Sequence, residues 1–120
     1  MTKWKLHRLE DLPREDMIEG IQRRFLSGER TTIGQVWFKK GAVVPEHSHE
    51  SEQMSFIVEG ALRFKLAGED VIVRTGEILA IPSMLPHSAE ALEDTYDLDL
   101  FAPRREDWIS GNDAYLRGKR

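Results

Sequence analysis

Cysteine is absent from this 120-residue chain, which excludes disulfides, thiolate nucleophiles and every metal site built on sulfur. A metal held here is held by nitrogen and oxygen. No apolar run approaches the roughly 20 residues of a membrane span, and the opening stretch MTKWKLHRLEDLP lacks the apolar centre of a secretory leader. A cytoplasmic protein without a membrane partner is expected. Positive charge is not in excess either: 17 basic and 21 acidic side chains leave −4, which argues against nucleic acid as the main partner. Arg117, Lys119 and Arg120 gather at the carboxyl end, three charges expected on a frayed, solvated tail. Repeats, low-complexity tracts and linkers are also missing, so one domain with a single core is expected.

What the chain has in quantity is short β-type runs divided by turn residues. Thr31 to Phe38, Gln53 to Glu59, Ala61 to Leu66, Val71 to Arg74, Ile78 to Ile81 and Tyr96 to Phe101 are apolar, β-branched or alternating. Gly60, Ala67-Gly68, Thr75-Gly76, Pro82-Ser83 and Glu93-Asp94 separate them. This spacing predicts an antiparallel sandwich or barrel over residues 31–102. Residues 1–30 are expected as an arm packed on its outside, carrying Trp4, Leu6, Leu9 and Leu12, a short helix start at Pro13–Asp16 and a strand over Ile21–Leu26. Residues 103–120 are expected as one helical turn at PRREDW, ended by Gly111-Asn112, and a loose tail.

The chemistry gathers in GAVVPEHSHESEQMSFIVEG, Gly41 to Gly60. On an extended strand residues i and i+2 share a face, so His47 and His49 can point at one spot. Gln53 can add an amide oxygen, and His87 a third imidazole from a separate segment, GEILAIPSMLPH. The bare pair HSH is compatible with a polar loop; it is His87, with its own glycine and proline punctuation, that favours a metal site. His7, the fourth histidine, lies among charges and is expected at the surface. Three imidazoles and an amide are neutral and leave a divalent ion its full charge for Lewis-acid work. Nickel, iron, manganese, cobalt and zinc all suit such donors.

Gly41, His47-x-His49, Gln53 and Gly60 at their spacing resemble the first motif of the cupin superfamily, and Gly76, Pro82 and His87 its second, with about fifteen residues between them. The resemblance spans Thr31 to Phe101 and implies an all-β double-stranded β-helix, a jelly-roll barrel, with a metal in its mouth. Gln53 stands where many cupins carry a glutamate ligand, Met84 where the second motif has glycine, and Ala91 where it often ends in asparagine. Glu52 is expected on the opposite face from Gln53.

A narrower likeness runs through HSHESEQ, AIPSMLPH and EDTYDLDLFAPRREDW. It resembles the small cupins of the KdgF type, proteins linked to pectin and alginate breakdown that turn 4,5-unsaturated monouronates into linear keto forms. That likeness implies proton transfer by Asp99, sugar packing on Phe101 and anchoring of a carboxylate by Arg105. The residues themselves leave alternatives open. Alternation puts Asp97, Asp99 and Phe101 on one face and Tyr96, Leu98 and Leu100 on the other. An ordinary sandwich strand would turn the aspartates to water, whereas a barrel with a polar cavity turns them in. Asp97 is expected in solvent near the turn, and Arg104-Arg105 can equally be a solvated pair. The expected function is a metal-dependent enzyme acting on a small anionic sugar. The alternatives are an iron-dependent dioxygenase and a non-catalytic sugar- or anion-binding cupin. A homodimer is expected, with the segment through Leu12 as an arm across the partner.

Overall fold

Alternating runs separated by turns give two antiparallel sheets facing each other, as seen in a computed structural model that describes residues 3–117. The strands are β1 (Glu15–Asp16), β2 (Ile21–Ser27), β3 (Thr32–Phe38), β4 (Val43–His47), β5 (Glu52–Glu59), β6 (Ala61–Leu66), β7 (Glu69–Arg74), β8 (Ile78–Ile81), β9 (His87–Ala91) and β10 (Thr95–Ala102). One sheet runs β1-β2-β3-β10-β5-β8 and the other β4-β9-β6-β7. This is the expected all-β jelly-roll barrel. Two short helices, α1 (Glu106–Ser110) and α2 (Ala114–Arg117), follow β10.

The buried side chains of β5, β9 and β10 fall at alternate positions, as a sheet with one packed face requires. Val36, Phe38, Val44, Ile57, Leu62, Phe64, Val73 and Ile81 fill the space between the sheets, each under a tenth exposed. Gly60 turns β5 into β6 at φ +113°, where a side chain would meet Thr95 and the Asp94 carbonyl. Trp108 of α1 lies flat enough on β3 that a Cβ at Gly34 would sit 2.9 Å from its ring.

The edges of the domain differ from the sequence reading. The sheet begins before residue 31: β2 pairs with β3 along its whole length, from Ile21 opposite Phe38 to Ser27 opposite Thr32. Pro13–Asp16 starts no helix. Instead a single 3-10 turn occupies Leu9–Asp11, and Glu15 reaches β2 as an edge strand, its carboxylate 2.9 Å from Arg23. Trp4 and Leu6 do not pack on the barrel; they are 87% and 95% exposed. Residues 113–117 are docked rather than loose. Asp113 and Leu116 are buried, the Arg23 guanidinium meets Asp113 at 2.6 Å, and the Ile18 N–H donates to the Leu116 carbonyl. Arg117 bridges Asp113 and Glu15 instead of facing water alone; Lys119 and Arg120 lie outside the described residues. Among the described residues no helix is long and apolar enough to cross a membrane.

Candidate metal centre

His47 and His87 sit directly opposite each other across β4 and β9. A β-bulge puts His47 there. Between Val44 and His47 the strand has one residue more than its partner, so inward direction passes from Val44 to His47 and skips Glu46. Strand β4 ends at His47, and His49 therefore reaches the site from the following connection rather than from the same strand face. Its position is fixed locally: the Met84 N–H donates to the His49 carbonyl at 2.8 Å. Met84 itself holds φ +68°, in the left-handed region that favours glycine.

The three imidazoles share one orientation scheme. Nδ1 of His47, His49 and His87 each lies 2.8–2.9 Å from a backbone carbonyl, those of Pro45, Ser51 and Leu85. A carbonyl only accepts, so each Nδ1 carries the proton and each Nε2 presents a lone pair. One ligand nitrogen from each ring can be chosen within 4.8 Å of the others. Burial holds all three neutral. It lowers the pKa of His47 to about 3 and of His49 to about 4, and lowers that of His87, with the neighbouring imidazoles or Arg105 adding to the effect.

Gln53, on β5, sets an amide oxygen beside the imidazoles. Its Oε1 is 3.0 Å from His49 Nε2, and its Nε2 donates to Ser55 Oγ at 2.8 Å. Two lone-pair atoms facing each other at that distance want a cation between them. His87 Nε2 is buried and has no hydrogen-bond partner among the described residues. An orphaned buried nitrogen and a facing acceptor pair fit a divalent ion held by His47, His49, Gln53 and His87. Glu52, the next residue, is exposed on the other face.

Beside the imidazoles β10 turns Asp97, Asp99 and Phe101 inward, opposite Ile57, Ser55 and Gln53 of β5. Asp97 is therefore not in solvent near the turn: it is 3% exposed, because β10 runs between β3 and β5 and its inner face closes the barrel. Asp99 accepts from Ser55 Oγ at 2.7 Å. Burial raises the pKa of both carboxyls, and the Asp99 charge pushes Asp97 higher still. The two carboxyls titrate as one unit, and burial favours a proton on that unit.

Phe101 is buried with its ring 5.8 Å from His49 and 4.9 Å from Trp108. Arg105 is no solvated partner of Arg104. It is 2% exposed, lies 4.8 Å over Phe101 and 4.6 Å over Trp108, and donates through Nε and Nη2 to Asp107 and through Nη2 to the Tyr115 hydroxyl. Tyr115 in turn stacks on His47 at 4.1 Å. His47, His87, Gln53, the two carboxyls, Phe101, Arg105, Trp108 and Tyr115 line one cavity, whose room for the centres of water molecules is about 40 Å³. By the usual requirement that is space for about three waters. Tyr115, Trp108, Asp107 and Ser55 were not foreseen. For Ser55 a signal existed, its place two residues beyond Gln53 on one strand face; for Tyr115, in a segment without periodicity, there was none.

The family model for the cupin domain matches residues 34–102. The pectin degradation protein KdgF of Dickeya dadantii (strain 3937) is 26% identical over 103 residues, covering 83% of this chain and 94% of that protein. The solved structure of KdgF from Halomonas sp. superposes with TM-score 0.76 at 34% identity, covering 82% of this chain and 94% of the other. Rat (Rattus norvegicus) 3-hydroxyanthranilate 3,4-dioxygenase is 34% identical over 74 residues, 58% of this chain but 26% of the enzyme.

Proposed function

This chain belongs to the cupin domain family as a small KdgF-like member, and from that premise we propose that it is a metal-dependent enzyme of pectin or uronate degradation that converts 4,5-unsaturated monouronates to linear keto forms. One observation carries the reading: an imidazole cluster with an orphaned nitrogen lies in the same cavity as a buried carboxyl pair and a buried arginine. A divalent ion in the four-donor site supplies Lewis acidity toward the oxygens of the sugar. Asp99 moves a proton between a substrate hydroxyl and a ring carbon, general acid–base work of roughly 10²–10⁴-fold. Phe101 packs on the ring. Arg105 attracts the carboxylate from a position where Asp107 and Tyr115 already hold its fork in place. Ring opening followed by ketonisation is proton traffic without net redox change, and a neutral ligand set suits it.

The test is the ultraviolet absorbance of the conjugated uronate. Metal-loaded protein should accelerate its loss, and Asp99→Asn, with metal in excess, should remove most of that rate. No acceleration by loaded wild type defeats the assignment. The dioxygenase match favours a second reading, oxygen chemistry on an iron-loaded three-histidine site; oxygen consumption with candidate enediols under ferrous loading separates the two. On the same proposal the protein works as a homodimer. Exposed Trp4 and Leu6, together with exposed Met54, Ile78 and Leu100 on the outer sheet, support it, and light scattering checks it.

A further inference from the structure

The imidazole cluster and the carboxyl pair are joined by a single hydroxyl. Gln53 Nε2 donates to Ser55 Oγ at 2.8 Å, and Ser55 Oγ donates to Asp99 Oδ1 at 2.7 Å. Gln53, Ser55 and Asp99 are each 6% exposed or less, so water does not short-circuit the chain. Its direction follows from proton counting. A serine hydroxyl has one proton. Once that proton goes to the Asp99 carboxylate, only lone pairs remain for Gln53, which must offer its N–H there and turn its oxygen to the imidazoles. Asp97 lies two residues before Asp99 on the same face and makes no bond to Ser55, so Asp99 alone of the two meets the hydroxyl. The Asp99 carboxyl thus stands at the end of the chain that leads to the metal ligand.

We propose that Ser55 is a positioning residue of the metal centre: it locks the Gln53 amide with its oxygen toward His49 and couples that ligand to the buried carboxyl of Asp99. The proposal rests on the metal-centre reading above. An amide that donates its N–H into a chain ending on an anion carries more negative charge on its oxygen, and partners one link from a ligand set both its orientation and its basicity. The chain gives a neutral glutamine part of the donor strength that glutamate would bring. It also excludes the flipped amide, whose NH₂ would face the ion.

The experiment measures zinc and cobalt affinity by chelator competition for wild type, Ser55→Ala, Asp99→Asn and the double variant, with circular dichroism to confirm folding. Removing a partner at this remove from a ligand costs roughly 10–100-fold in affinity, and that loss is expected for each single variant. The double variant should lose no more than the worse single one, because both cut the same chain. Cobalt-loaded Ser55→Ala, at saturation, should show a shifted visible spectrum, which a serine that merely fills space would leave unmoved. If wild type binds and Ser55→Ala binds within about twofold of it with an unchanged spectrum, Ser55 holds nothing and the proposal falls. Should Ser55→Ala not fold, Asp99→Asn decides alone: unchanged affinity refutes the coupling. Wild type that binds neither ion overturns the metal-centre reading itself, a distinct result.

Discussion

Acidification from about pH 7 to about pH 5 should leave metal binding by this protein nearly intact. Protons compete with a metal for imidazole lone pairs, so each ligand costs affinity by the factor 1 + 10^(pKa − pH). An ordinary imidazole, with pKa near 6.5, loses about 30-fold at pH 5, and three of them lose roughly 10⁴-fold together. Here burial has lowered His47 to about 3 and His49 to about 4, and has lowered His87 as well. For His47 and His49 the factors at pH 5 are then about 1.01 and 1.1. The assay is competition against a chelator whose own protonation is corrected at each pH, with nickel or zinc as the ion and near-ultraviolet circular dichroism to check the fold. With His47 and His49 contributing almost nothing, the expected loss stays below the roughly 30-fold that one ordinary imidazole would set at His87. A loss approaching 10⁴-fold would mean that the rings titrate as if solvated, and the claim that burial keeps three lone pairs ready would be wrong. The same shifts set the sign for stability. A lowered histidine pKa contributes stability that is full above the unfolded value near 6.5 and is lost as the pH falls toward about 3, so apo protein should melt earlier as pH drops through that window.

Three further outcomes test what holds the site in place. Asp113→Ala leaves the Arg23 guanidinium buried with only Glu15 to face; a cost of about 3–5 kcal/mol is expected in urea unfolding, together with faster proteolysis near Tyr115 as α2 undocks. Gly34→Ala drives a methyl into the Trp108 ring and should cost about 1–3 kcal/mol, with a changed tryptophan fluorescence spectrum because Trp108 moves. Met84→Gly removes the positive-φ strain on the residue whose N–H holds His49; it should raise stability by about 1 kcal/mol in thermal denaturation, less whatever glycine adds to the freedom of the unfolded chain.

The barrel was legible because its strands are divided by glycine and proline turns, and because His47, His49, Gln53 and His87 fall at motif spacing. What escaped has physical causes. Strands β4 and β9 carry Pro45 and the run HSAEA, weak β-formers, and become strands through pairing with each other and with β6. The bulge that aims His47 inward changes the count by one residue and leaves no mark in composition. Alternation put Asp97 beside Asp99 correctly, but its nearness to a turn argued for solvent. Only the placing of β10 inside its sheet buries it. The docked tail depends on Arg23 meeting Asp113 across 90 residues of chain, a contact that local pattern does not carry.

Charge accounting links these features to the proposed substrate. Three neutral imidazoles and an amide contribute nothing, Arg105 and Asp107 cancel, and the Asp97–Asp99 pair, where it holds a single proton, leaves one negative charge. Without an ion the cavity is then anionic and repels a monoanionic sugar. A divalent ion reverses the sign to one net positive charge, and a bound monocarboxylate brings the total to neutral. Metal must therefore precede the anionic ligand. A uronate product analogue should bind the loaded protein and not the apo form, whereas an uncharged hexose should discriminate far less between the two. Equal analogue affinity for both forms, by calorimetry, would show that the carboxyl pair holds no net charge and that the ion is not what makes the cavity receptive to anions.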